Sequence, residues 1–343
     1  MRGEGPRPTW IYRPGTDLLI ALCWVPLWLV GHQLAAGHND HLLRSAVGAA
    51  FLLSFVHQPL TLGLVYGDLP RFRQLRQLFV WAPPVTVAAV VIGVVFHLWI
   101  LVVIAAVWNT VHTLQQRYGL CRIYARRSGY GSARLDRSVL YTWMLGAVLL
   151  VAANPRTLSL VKRVRFDNVN EGGVRLLTDA RPVALGLVIP VAVVALGLAA
   201  AVVRQELLRW NSESGGANPA KWVYQASSLL LIASIAVDPA AGFIAYVGAH
   251  ALEYFVVVYK TAESRYGGEK GRSSPLGRVA STPSGRVAWL AAIVGLALLI
   301  HAQIHGNAYD ITLYSVGALH FLYDGFIWKL RQPVVASDFA IRT

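Results

Sequence analysis

The chain has 343 residues, of which 55% are hydrophobic and 14% charged, and a formal net charge of +14. A mean hydropathy of +0.49 excludes a single water-soluble domain and fits a polytopic helical membrane protein. The basic residues cluster between apolar runs, which orientation in a bilayer explains, so nucleic acid is not expected as a partner. Two cysteines, Cys23 and Cys121, are too few for a disulfide framework or a thiolate metal site.

The expected fold is all-α, a transmembrane helix bundle forming one integral-membrane domain over 1–343. The apolar run after the basic N-terminal segment lacks a small-residue cleavage site and reads as a retained first span. Ten spans fit the apolar runs, at about 17 to 35, 43 to 66, 78 to 96, 97 to 116, 138 to 153, 182 to 203, 222 to 237, 239 to 259, 287 to 304 and 309 to 328. Only Phe96 to Trp99 divide the third from the fourth. With both termini cytoplasmic, 24 of the 31 Lys and Arg residues fall in inner segments, as the positive-inside rule demands. Six of the seven outer ones lie between Arg156 and Arg181, in a long outer-face loop over 154–181. The inner loop at 260–286, rich in Gly, Ser and Pro, is expected to be flexible. The localisation that follows is an integral membrane protein of the bacterial cytoplasmic (inner) membrane.

Four histidines, His57, His112, His250 and His320, lie on the second, fourth, eighth and tenth spans. Counting from each to the next inner charge, at 1.5 Å per helical residue, puts the imidazoles roughly 14 to 17 Å from the inner boundary, near the bilayer midplane. For His112 this requires the helix to run on to Arg122. Polar groups at that depth are costly, with an Asp charged about 3 kcal/mol for insertion, and so mark an interior site. Residues three or four apart share a helix face, so His250 with Glu253, and His320 with Asp324, can each address one point. His57 has Thr61 at that spacing, while Pro59 removes a backbone donor beside it. Tyr254 and Tyr323 each adjoin a candidate ligand and suit hydrogen bonding to it.

The resulting candidate metal ligands are His57, His112, His250, His320, Glu253 and Asp324, with the two carboxylates as ligands or as catalytic proton acceptors. Nitrogen and oxygen donors without thiolate point to one or two ions of iron, zinc or manganese. Haem held by two axial histidines is the rival cofactor. The remaining histidines, His32, His38, His41, His97, His301 and His305, fall near outer span ends and read as interfacial groups. The chain contains no phosphate-binding loop, dinucleotide fingerprint, GxSxG, HExxH or DxxD pattern, which removes the usual signatures of nucleotide-driven or hydrolytic chemistry. A short echo, Tyr-Gly after His112 and again after His250, hints at duplication.

The placing of single histidines His57, His112, His250 and His320 on separate spans resembles the histidine-rich integral-membrane iron oxygenases, among them the bacterial β-carotene dioxygenases of the Brp/Blh type. The resemblance covers hydropathy pattern and ligand type. It departs from that family's close histidine pair on one helix, and the strings WNTVHTLQQRYG and HFLYDGFIWKLR carry no shared long motif. What it implies is an iron-dependent oxidoreductase using O2 on a lipid or isoprenoid, with membrane lipids, a lipophilic small-molecule substrate and an electron-donor protein as partners. Two other classes stay open on the residues themselves: a proton-coupled transporter or channel for a solute or metal ion, and a haem-binding electron carrier.

Overall fold

The computed structural model describes residues 10–37, 39–165, 170–211, 217–267 and 274–341. Among the described residues there are helices and no strand. Eight helical segments are long and apolar enough to cross a membrane: Pro14–Ala36, Asp40–Tyr66, Arg76–Val95, Ala133–Ala153, Glu171–Trp210, Pro219–Val237, Pro239–Tyr266 and Pro283–Gln303. Each matches one expected span. The other two expected spans lie on the long helices Ile100–Ser128 and Gly306–Ile327, whose apolar content is diluted by the groups of interest. One carries Asn109, His112, Gln115 and Gln116; the other carries Asp310, His320 and Asp324.

Helix ends differ from the apolar runs because charge lowers hydropathy without stopping a helix, whereas a cap does. The expected span 182 to 203 belongs to a 40-residue helix, Glu171–Trp210. It starts at Asn170, whose side chain accepts from the Gly173 amide at 2.7 Å, and Pro182 and Pro190 lie within it without ending it. The segment read as an outer-face loop over 154–181 therefore carries the helix Arg156–Arg163 and the first turns of that long helix. In the segment read as a flexible inner loop, Lys260 to Tyr266 continue the eighth-span helix, and Pro275–Ala280 and Pro283–Gln303 start from the side-chain caps Ser274 and Thr282. Residues 268–273 of that loop lie outside the described residues.

The narrow divide at Phe96 to Trp99 is a true helix end. The Leu98 amide donates to the Gly93 carbonyl at 2.8 Å and the His97 amide to that of Val94 at 3.1 Å, with His97 at φ 50. This is the Schellman pattern, completed here by a histidine in the left-handed region that usually falls to glycine.

The chain divides into two compact units. One comprises Phe51–Thr110 and Ala251–Phe339; the other comprises Met1–Ala50, Val111–His250 and Ala340–Arg342. In the Phe51 unit, Gly306–Ile327 packs on Arg76–Val95 and on Pro59–Tyr66, and Pro283–Gln303 also packs on Pro59–Tyr66. Their shared core includes Leu60, Leu64, Phe79, Val258, Leu319 and Tyr323. Near one end of this unit the Tyr266 hydroxyl donates to Asp68 at 2.6 Å and Arg265 pairs with Asp338. Burial pushes Arg71 in the same cluster down to about 10, and the like charge of Arg265 adds to the fall, so it remains a cation at neutral pH.

In the Val111 unit, Ala133–Ala153 is flanked by Glu171–Trp210 and Pro219–Val237, and the last of these packs on Pro14–Leu22 and Trp24–Ala36. The Trp24 indole donates to Ser227 Oγ at 2.7 Å. At Gly31 the approach is close enough that a Cβ would lie 2.9 Å from the Ala241 Cα, the small-residue contact by which membrane helices come together. Lys221, fully buried, forms an ion pair with Glu206, which also accepts from the Tyr130 hydroxyl at 2.6 Å.

Burial runs opposite to that of a water-soluble bundle. The most apolar stretch of Glu171–Trp210, with mean hydropathy 2.7, is only 11% buried, whereas that of Pro239–Tyr266, which carries His250 and Glu253, is 78% buried. Ile189 is 71% exposed and Val193 64%, surface that suits hydrocarbon rather than water. The protein is a helical membrane protein.

Candidate metal centre

Pro59 shapes the surroundings of His57. Its missing N–H would otherwise bond the Phe55 carbonyl; that oxygen instead accepts from the Gln58 amide at 3.2 Å, and the Thr61 amide bonds the Gln58 carbonyl at 3.2 Å. The helix Asp40–His57 therefore ends at the histidine, and Pro59–Tyr66 restarts two residues later. The interruption leaves His57 and Thr61 still close enough to serve one cluster.

That cluster belongs to the Phe51 unit. His57 Nε2 lies 3.2 Å from His320 Nε2, with ring centroids 4.9 Å apart and planes at 84°. His57 Nδ1 lies 3.4 Å from the Leu53 carbonyl oxygen. His320 Nδ1 lies 2.7 Å from Thr61 Oγ1, and Thr61 donates to Asp324 Oδ1 at 2.8 Å. The same carboxylate oxygen accepts from the Tyr254 hydroxyl at 2.9 Å, which also contacts Thr61 Oγ1. The second oxygen, Asp324 Oδ2, is 3.9 Å from His320 Nδ1. His57, Thr61 and His320 are 0% exposed and Asp324 is 7% exposed, so two imidazoles, two hydroxyls and a carboxylate are shut away from solvent together. Beside them Tyr66 and Tyr323 share a hydrogen bond of 2.8 Å.

The Val111 unit holds a second histidine pair. The rings of His112 and His250 are 5.0 Å apart by centroid and nearly perpendicular, at 87°, and both are buried. Gln116 Nε2, one turn beyond His112, donates to the His250 carbonyl at 3.2 Å, which ties the two helices at that level.

All four predicted histidines are thus buried, and each is brought against another. Buried histidine and aspartate side chains of this kind can hold a metal ion; His57 with His320, and His320 with Asp324, offer ligand atoms within 4.8 Å of one another. The Asp324 carboxylate lies beside the His320 imidazole. Glu253 is also buried, one turn from His250 on the helix Pro239–Tyr266.

Thr61 and Tyr254 are the functional groups that residue type alone did not single out as site residues. The spacing His57 to Thr61, four residues, was the signal for the first; adjacency to Glu253 was the signal for the second. Of the remaining histidines, His32 bonds Asp238 at 2.8 Å and stacks on Trp28, His301 bonds the Tyr309 hydroxyl at 2.8 Å, and His97 serves the turn described above. His41 and His305 are exposed, and His38 lies outside the described residues.

No protein-family model, curated protein or solved structure matches this chain.

Proposed function

We propose that this protein is a membrane-embedded, metal-dependent oxidoreductase of the bacterial inner membrane, with iron as its metal, acting with O2 on a lipid or isoprenoid. The observation that carries the metal reading is the 3.2 Å separation of His57 Nε2 and His320 Nε2. Two imidazole nitrogens bound to one divalent ion at about 2.0–2.1 Å are that far apart when the angle at the ion is roughly 100°, close to tetrahedral or octahedral values. His57 and His320 are the ligands so placed. His112 with His250, the imidazole pair of the Val111 unit, and the carboxylates Asp324 and Glu253 are the further candidates as ligands or, for the carboxylates, proton acceptors.

Nitrogen and oxygen donors without sulfur suit iron, zinc or manganese; the choice of iron and O2 follows the resemblance to the integral-membrane iron oxygenases. The bound metal would supply activation of oxygen. The chain's own part is to exclude water, to hold the imidazoles in register, and to take up a proton at Asp324, whose Oδ1 already accepts two hydroxyl hydrogens. The exposed apolar faces of the helices let a lipophilic substrate reach the protein from the bilayer, and an electron-donor protein would supply reducing equivalents. All ten helices, the His112 and His320 helices included, span the membrane in this reading, with both termini cytoplasmic.

The histidine geometry weighs against haem. Axial imidazoles stand on opposite sides of an iron, which puts their ligating nitrogens about 4 Å apart, twice a metal–imidazole bond. The His57 and His320 nitrogens are closer than that and their rings meet edge to face, leaving no plane for a porphyrin. A transporter would use the same intramembrane His and Asp groups as an ion path and predicts flux in proteoliposomes with weak, exchangeable metal.

Elemental analysis of detergent-purified protein tests the proposal. Near-stoichiometric iron is expected in the wild type, with its loss in His250→Ala and in His320→Ala although both still insert. Metal retained by both variants refutes the ligand assignment.

A further inference from the structure

Thr61 sits at the meeting point of three polar groups, and its single hydroxyl hydrogen cannot serve them all. Its Oγ1 lies 2.7 Å from His320 Nδ1 and 2.8 Å from Asp324 Oδ1, and it touches the Tyr254 hydroxyl. A carboxylate oxygen only accepts. With the Thr61 hydrogen given to Asp324, the hydroxyl oxygen is an acceptor toward His320, and the hydrogen of that contact must come from Nδ1. A neutral imidazole carries one ring hydrogen, so His320 Nε2 then presents its lone pair. His57 is set the same way from the opposite side, because the Leu53 carbonyl at 3.4 Å from Nδ1 likewise only accepts. In that arrangement both Nε2 atoms, 3.2 Å apart, offer their lone pairs to an ion held between them.

We propose that Thr61 is a positioning residue that holds His320 in the Nδ1–H tautomer by relaying its hydrogen bond to Asp324, so that Nε2 is ready to ligate. This rests on the metal reading above and deepens it. Ligating histidines generally donate their other ring N–H to a carboxylate or carbonyl, which fixes orientation and raises basicity. Here the acceptor is reached through a threonine. The hydrogen bonds also give the carboxylate a part in this: Asp324 Oδ1, which accepts from Thr61 and Tyr254, is the acceptor that anchors His320 through Thr61.

The hydroxyl needs to come from a side chain of this reach. Serine keeps the oxygen, valine keeps the shape without it, and alanine keeps neither. Cobalt(II) alone, titrated into metal-stripped protein in detergent, reports both affinity and ligand field through its visible absorption bands. The expectation is a 10- to 100-fold weaker cobalt affinity in Thr61→Val and in Thr61→Ala, the size usual for lost outer partners of a metal ligand, with altered bands. Thr61→Ser should recover affinity to within about threefold of wild type and restore the wild-type bands. A residue that only filled space would give the reverse order, with valine the mildest change.

Wild-type affinity and spectrum in both Thr61→Val and Thr61→Ala would overturn the positioning role, and alanine carries the test alone if valine does not insert. Absence of cobalt binding by the wild-type chain would refute the metal reading itself, and the Thr61 role with it.

Discussion

Replacing His57 by alanine removes one of two nitrogens held 3.2 Å apart and leaves its partner's surroundings intact, because His320 keeps its contact with Thr61 at 2.7 Å. Apparent binding energies of complete four-ligand zinc sites are about 10–16 kcal/mol, or roughly 3–4 kcal/mol for each ligand. One ligand fewer should therefore weaken binding by about two to three orders of magnitude. Iron(II) stands below zinc in the usual affinity order, which favours the lower end, about 100-fold. His57 is 0% exposed, so truncation also opens a cavity that costs the apo-protein about 2–4 kcal/mol. The two effects separate when thermal melting of the stripped protein is measured beside anaerobic equilibrium dialysis against iron(II). Dialysis showing His57→Ala within threefold of wild type would refute the chelating geometry, whatever the melt shows.

The Val111 unit offers two further checks. Lys221→Met leaves Glu206 buried without its cation and should cost about 3–5 kcal/mol of stability, most of it recovered by adding Glu206→Leu; denaturation of the purified variants measures this, and a single-variant loss under about 1 kcal/mol would show the pair to be incidental. Gly31→Val places carbon where a Cβ already comes 2.9 Å from the Ala241 Cα and should cost about 1–3 kcal/mol through forced separation of two helices, visible as a lowered melting temperature that Gly31→Ala shares in part.

Hydropathy made the helices legible, even the two whose site residues dilute it, because the apolar residues around His112 and His320 still mark a buried or lipid-facing segment. It misjudged where helices stop. Asn170 and Asn211 bound the helix Glu171–Trp210 by satisfying backbone groups, a signal that hydropathy does not contain. Their place within apolar runs pointed to the four histidines, which the structure buries. It could not say which would meet, because pairing depends on helix rotation and neighbour choice, and one sequence fixes neither. Spacing treated Glu253 and Asp324 alike; the structure joins Asp324 to His320, Thr61 and Tyr254. Spacing places Thr61 on the His57 side of the chain, but threonine is common in membrane helices, and it is the hydroxyl contacts to His320, Asp324 and Tyr254 that give it its place in the cluster.

The helix Glu171–Trp210, with 40 residues, is about 60 Å long at 1.5 Å per residue. Leaning at the 20° typical of membrane helices it still rises about 56 Å through a hydrocarbon layer of about 30 Å. Much of the rod must therefore stand in headgroups or water. Such a long helix is a natural handle: a rigid fusion or antibody fragment gripping its protruding turns would give a protein of this size the bulk and the visible landmark that single-particle imaging in a micelle requires.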